Sequence, residues 1–175
     1  MSADELQELQ ENAEHAHHNP SMAPVSLTMA IFAVLVAVAS LLGHRAHTEE
    51  VVLQAKSSDQ WAYYQAKNIR QHEDELFVAG NGAGGTAEAR EKYTQEAERY
   101  KKDKEEIQEK ARDLEREVDV ERRRANRFDL AEVFLEIGLV ITSITLLSGK
   151  RIFWYMGIGV SVVGAVVAAM GAMVH

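Results

Sequence analysis

Cysteine is absent from the 175 residues, which excludes disulfides, thiolate-bound zinc, iron–sulfur clusters and a thiol nucleophile, and leaves the redox compartment unencoded. Proline is scarce. Pro20 and Pro24 lie together near the start, so the long charged stretches that follow contain no helix breaker of that kind. Positive charge is in deficit, with 19 Lys and Arg against 27 Asp and Glu and a formal net charge of -8. Duplex binding depends on neutralising phosphates with Lys and Arg, so this balance argues against a nucleic-acid partner. The opening Met1-Ser2-Ala3-Asp4-Glu5 lacks the basic start of a secretory signal, and no small-residue cleavage site follows the first apolar block, which is therefore expected to be retained. There is no Ser-His-Asp order, phosphate loop or dinucleotide fingerprint. Gly80-x-Gly82 follows a helical pattern instead of a strand and lacks the Lys-Ser/Thr of a phosphate loop. The chain is read as a non-enzyme, with no catalytic residue, no cofactor and no metal.

What is present is hydrophobicity in three blocks. Residues 1–24 form an acidic tail carrying Asp4, Glu5, Glu8, Glu11 and Glu14 with three histidines. Glu11, His15 and His18 stand at i, i+4 and i+7 and could clasp a divalent metal weakly, but a flexible solvated tail is the better reading, because His-rich tracts are only compositional pointers to metal. Residues 25–43 read as a first transmembrane helix, because Val25 to Leu42 runs eighteen residues without a charge. Residues 129–147 read as a second, despite Asp129, Glu132 and Glu136 in its first half, and 152–174 as a third, with Phe153, Trp154 and Tyr155 beside Lys150 and Arg151 as an interfacial anchor. The expected fold class is thus all-α: an integral membrane protein with three transmembrane helices and a long antiparallel coiled-coil hairpin between the first and second.

That hairpin occupies 44–128, with a Gly-rich tip at 80–85 that cannot stay helical at reasonable cost. In the returning arm Tyr93, Ala97, Tyr100, Lys104, Ile107, Ala111, Leu114, Val118, Glu121, Ala125 and Phe128 follow steps of four and three, spoiled only by Lys104 and Glu121. In the outgoing arm the same steps pick out Val51, Ala55, Ser58, Ala62, Gln65, Ile69, His72, Leu76 and Ala79, a small and partly polar seam. An arm of about 36 residues would reach roughly 55 Å at the helical rise. Basic residues crowd the hairpin side of the spans, as Arg45, Arg116, Arg122, Arg123, Arg124 and Arg127, against Lys150 and Arg151 on the other. The positive-inside rule therefore puts the hairpin in the cytoplasm, the tail outside and His175 inside.

Gly43-His44-Arg45-Ala46-His47-Thr48-Glu49-Glu50 and Asp59-Gln60-Trp61-Ala62-Tyr63-Tyr64-Gln65-Ala66-Lys67, with the tail's Glu14-His15-Ala16-His17-His18, give the chain a likeness to a known family. It resembles, over nearly its whole length, a bacterial membrane-protein family catalogued as domain of unknown function 4337. The resemblance implies the helical membrane architecture and a bacterial inner (cytoplasmic) membrane location. It brings no activity, cofactor or functional residue with it.

The candidate binding residues are His44, Arg45, His47, Asp129, Glu132 and Glu136. The three acids fall within an arc of about 60° on one helix face. Glu136 would lie about 12 Å inside the hydrocarbon, where an ionised carboxylate must face protein or water. They could clasp Arg45 or His44, line a cation or proton path, or meet the imidazoles of His44 and His47 as metal ligands. His44 and His47 continue a small-residue stripe through Ala30, Ala33, Ala37 and Ser40, expected to be buried. Trp61, Tyr63 and Tyr64 could form a partner-binding patch or fill the seam, and Arg122-Arg123-Arg124 could attract anionic lipid. In the third span Gly157, Ser161, Gly164, Ala168 and Gly171 make a small-residue packing stripe, with the first span or a neighbouring subunit's third span as its expected partner. The expected partners are the bilayer, further copies of the chain in a homo-oligomer, and a protein at the hairpin. The expected role is a homo-oligomeric assembly or interaction scaffold, with an oligomeric ion channel lined by the intramembrane carboxylates as the alternative.

Overall fold

The computed structural model describes residues 22–80 and 86–173. The described residues form three helices and no strand: α1 (Ala23–Ala79), α2 (Ala87–Ser148) and α3 (Arg151–Ala172). Each contains a window long and apolar enough to cross a membrane. α1 opens with Pro24 in its first turn, where the missing N–H would have had no intrahelical acceptor and the fixed φ suits the helix. It ends before Gly80. Thr86 starts α2 as its cap: its hydroxyl accepts from the Ala89 N–H (3.3 Å) and its carbonyl from the Arg90 N–H (3.2 Å). Gly149, at φ +68°, lets the chain turn out of α2 into α3 where any side chain would be strained. The acidic tail, the centre of the Gly-rich tip and the last two residues lie outside the described residues.

The chain divides into two compact units, one made of its ends (Met1–Thr48 and Val120–His175) and one of Glu49–Asp119. In the first unit α1, α2 and α3 pack as a three-helix bundle. α1 buries Val25, Met29, Phe32, Ala39, Gly43 and Ala46, and α2 buries Ala125, Phe128, Ala131, Leu135 and Thr142. Ala30, Ala37, His44 and His47 are exposed, so the first-helix stripe expected to be buried mostly is not. Bulk decides this: the 4-3 row that includes Met29 and Phe32 fills the space between helices better than alanine does.

In the second unit the two arms lie antiparallel, as Lys67 bonding Asp103, Asn68 bonding Lys104 and Phe77 meeting Tyr93 show. The returning arm buries or half-buries every expected position there from Tyr93 to Val118. On the outgoing arm the expected seam is wrong. Val51, Ala55, Ser58, Ala62, Gln65, Ile69, His72, Leu76 and Ala79 are all exposed, and the inward row is Leu53, Ser57, Gln60, Tyr64, Lys67, Gln71, Asp74 and Val78. This row keeps steps of four and three but is mostly polar, and its Lys67 is held inward by Asp103 of the returning arm.

Candidate functional site

The site begins with Gly43. A Cβ there would come within 3.1 Å of Asp129 Oδ1 and 3.5 Å of Phe128 Cβ, so the glycine leaves room for the Asp129 carboxylate where α2 meets α1. One turn on, His47 Nε2 meets Asp129 Oδ2 at 2.9 Å, with both side chains about half exposed. The carboxylate accepts this bond, and either a neutral Nε2–H tautomer or the imidazolium can donate it. His44 turns instead along its own helix, with Nδ1 3.0 Å from the Ser40 carbonyl. Arg45 is exposed, Glu132 half-buried and Glu136 exposed. The 60° arc therefore straddles the rim of the helix contact. Glu132 occupies a seam position, while Asp129 and Glu136 flank it, and His47 and Asp129 form a bonded pair. Among the described residues no three His, Asp or Glu side chains are placed to hold a metal ion. Glu11, His15 and His18 lie outside the described residues.

The α2–α3 contact is closer still. At Gly157 a Cβ would meet Thr142 Oγ1 and lie 2.7 Å from the Gly138 carbonyl, and at Gly138 it would meet Ser161 Oγ and lie 2.9 Å from the Gly157 carbonyl. Gly164 faces the Ala131 carbonyl (2.9 Å) and Leu135 Cγ (3.0 Å), and Gly171 faces Arg127 Cβ (3.2 Å) and the Phe128 ring. The small-residue stripe of α3 is thus a packing face, but its partner is the second apolar segment of the same chain, neither the first span nor a neighbouring subunit's third span. Gly138, Ala131 and Thr142, seven or four residues apart, were the available signal. Thr142 returns its hydroxyl to the Gly138 carbonyl at 2.8 Å, which keeps the polar group satisfied inside the contact. Trp154 Nε1 donates to Thr28 Oγ1 (3.3 Å), tying the start of α3 to α1. Arg127 Nη1 donates to the Met170 carbonyl (2.9 Å), serving one of the orphan carbonyls at the end of α3.

Within the second unit the polar seam is paired. Lys67 Nζ donates to Asp103 Oδ2 (2.9 Å) and lies over the Tyr100 and Tyr63 rings at 4.8 and 5.5 Å. The bond to Asp103 holds its ammonium above the ordinary value. Lys104, which looked like a blemish, donates to Asn68 Oδ1 (2.6 Å) and lies 5.6 Å from the Tyr64 ring centre. Trp61 donates to Glu115 (2.8 Å) and meets Tyr64 edge-on, so Trp61 and Tyr64 belong to the arm–arm contact, while Tyr63 is exposed.

No curated protein and no solved structure matches the chain. A family model, described as a domain of unknown function (DUF4337), matches residues 21–174, which take in the whole described architecture. The chain therefore belongs to the DUF4337 family.

Proposed function

We propose that the protein is a non-catalytic, homo-oligomeric scaffold of the bacterial cytoplasmic membrane, anchored by three spans and assembled through a coiled-coil hairpin on the cytoplasmic side. Exposed Val34, Leu41, Val140 and Leu147 suit a lipid environment. Lipid does not account for the outgoing arm. There Val51, Ile69 and Leu76 are 68%, 58% and 71% exposed, and they stand on one row of steps of four and three with Ala55, Ser58 and Ala62. That second seam, left open because the first is satisfied by the returning arm, is the observation that carries the reading: a partly apolar row at coiled-coil spacing, interrupted by Gln65 and His72, fits another helix. A second copy presents the same row, so self-assembly needs no further component. The test is particle mass in detergent for Ile69→Glu/Leu76→Glu. The expected result is a smaller particle with unchanged helix content, and an unchanged mass would remove the row as the basis of assembly.

The second reading is a cation or proton path. Glu136 is exposed among Val133, Ile137 and Val140 on α2, a placement that an oligomer could turn toward a central axis. Flux through liposomes carrying the purified protein, compared with Glu136→Gln, tests it. No flux in either leaves the scaffold.

A further inference from the structure

Three contacts fix one end of the three-helix unit at a common level: Gly43 of α1 against Phe128, Gly171 of α3 against Arg127 and Phe128, and Arg127 on the Met170 carbonyl. The helices run antiparallel, so Arg45, two residues beyond Gly43, is level with Asn126, two before Phe128. Arg122, Arg123, Arg124 and Arg127 lie within about a turn of it. Residues 43–48 and 120–129 hold these five arginines against two carboxylates, in a chain whose net charge is -8. Both carboxylates are engaged, Asp129 by His47 and Glu121 by Arg124. Arg127 is spent on the end of α3, and Arg124 has its Nε buried without a hydrogen-bond partner. Arg45 and Arg123 are exposed, and no ion pair involving either occurs among the described residues.

The level of this end matters. From Phe128 the apolar run of α2 continues for twenty residues to Leu147, roughly 30 Å, the thickness of a hydrocarbon core. The arginines therefore begin where the apolar run stops, at the depth of phosphate groups, and the opposite end offers only Lys150 and Arg151. Guanidinium groups match phosphodiester oxygens in paired hydrogen bonds, and Arg45 on α1 and Arg123 on α2 are each exposed at this end to make them.

We propose that the arginine end of the three-helix unit, through Arg45 and Arg123, binds the phosphodiester of anionic phospholipids. This rests on the membrane-anchored reading given above. A carbonate wash of membranes separates the two: extraction of the protein by the wash would sink the anchoring itself, whereas the lipid preference is read independently on purified protein. The full chain in neutral detergent is titrated with phosphatidylglycerol, with phosphatidylcholine, and with inorganic phosphate, following melting temperature and lipid adducts by native mass spectrometry.

Phosphatidylglycerol is expected to raise the melting temperature and form adducts, with phosphatidylcholine and inorganic phosphate doing neither. In Arg45→Gln/Arg123→Gln the apparent affinity for phosphatidylglycerol should fall roughly fivefold per arginine removed. Lys150→Gln/Arg151→Gln should keep it. Should the double variant lose wild-type helix content, Arg45→Gln and Arg123→Gln are measured singly, and Arg45→Lys/Arg123→Lys reports the loss of paired bonding at constant charge. Equal behaviour of the two lipids, or adducts that survive the Arg45 and Arg123 substitutions, overturns the proposal. Inorganic phosphate reproducing the shift makes this a free-anion site and overturns the lipid assignment.

Discussion

Single atoms decide the α2–α3 contact. Ser161 is 2% exposed and its Oγ has no hydrogen-bond partner, so the hydroxyl contributes volume and nothing polar. Ser161→Ala should therefore leave the melting temperature in detergent unchanged or raise it, since a buried unsatisfied hydroxyl carries a desolvation penalty. A marked fall would show that the oxygen is bonded. Gly164 behaves oppositely: with the Ala131 carbonyl 2.9 Å from where a Cβ would stand, Gly164→Leu must push α3 away and should cost about 3 kcal/mol, the upper range for overpacking. Val163→Leu, at an exposed position, should be mild, and equal melting of the two variants would contradict the contact. Asp74 gives a pH signature. Its carboxyl is pushed above the ordinary 3.8, first by burial and then by Glu96 and Glu73, while one of its oxygens is buried without a partner. The folded state thus holds this proton more tightly than the unfolded one. The resulting stability is fully present below pH 3.8 and is lost as pH rises through the folded value. Asp74→Asn should flatten the fall in melting temperature across that window and be the more stable form at neutral pH. A variant that melts lower than wild type at pH 7 would show instead that the charge is paired.

At the scale of elements, α1 and α2 solve one packing problem with two chemistries. In the first unit the row of steps of four and three is apolar, and in the second it carries Lys67, Gln71, Asp74 and Lys104. Polar seam positions weaken a helix pair but fix its alignment, because a slip would leave Lys67 away from Asp103 and Lys104 away from Asn68. The apolar weight of the pair falls on the returning arm, where Ala111 and Val118 are 0% and 3% exposed. Val118→Asp should accordingly cost about 3 kcal/mol or more by burying an unpaired charge. Val51→Asp, on the exposed row, should leave the monomer fold intact and alter only particle mass. Circular dichroism melts with mass measurement on both variants check this, and a Val118→Asp protein that melts like wild type would place the seam on another face.

For the whole molecule, the lack of native cysteine makes the side of the bilayer that each end occupies directly measurable. The arginine-bearing end should be cytoplasmic by the positive-inside rule. Lys92→Cys in α2 should then resist an impermeant maleimide in intact cells and label after lysis, whereas Lys150→Cys, between α2 and α3, should label in both. The reverse pattern inverts the proposed orientation.

The helical character of the segments and the returning-arm seam are legible in the residues, because these are local properties, whereas the bounds drawn at 43/44 and 128/129 fall inside continuous helices. Uncharged runs of eighteen residues or more set the apolar segments, Pro24 and Gly149 set boundaries, and Ile107, Ala111 and Val118 stand out on a charged background. The sequence also brought the C-terminal end of the first apolar segment beside the start of the second, which the His47–Asp129 bond bears out in part, since His44 stays on its own helix. The outgoing arm and the partner of α3 depend instead on contacts between segments distant in the chain. Steps of four and three through Val51, Ile69 and Leu76 predict burial of that row. Tyr64, Lys67 and Gln71 turn inward instead, with Lys67 bonded to Asp103 and lying over the Tyr100 ring of the returning arm, a pairing that an apolar pattern does not register. A small-residue stripe states that something packs closely against it, but smallness carries no address. The short turn at Gly149 made α2 the neighbour of α3, and the matching gap at Gly138 let the backbones meet.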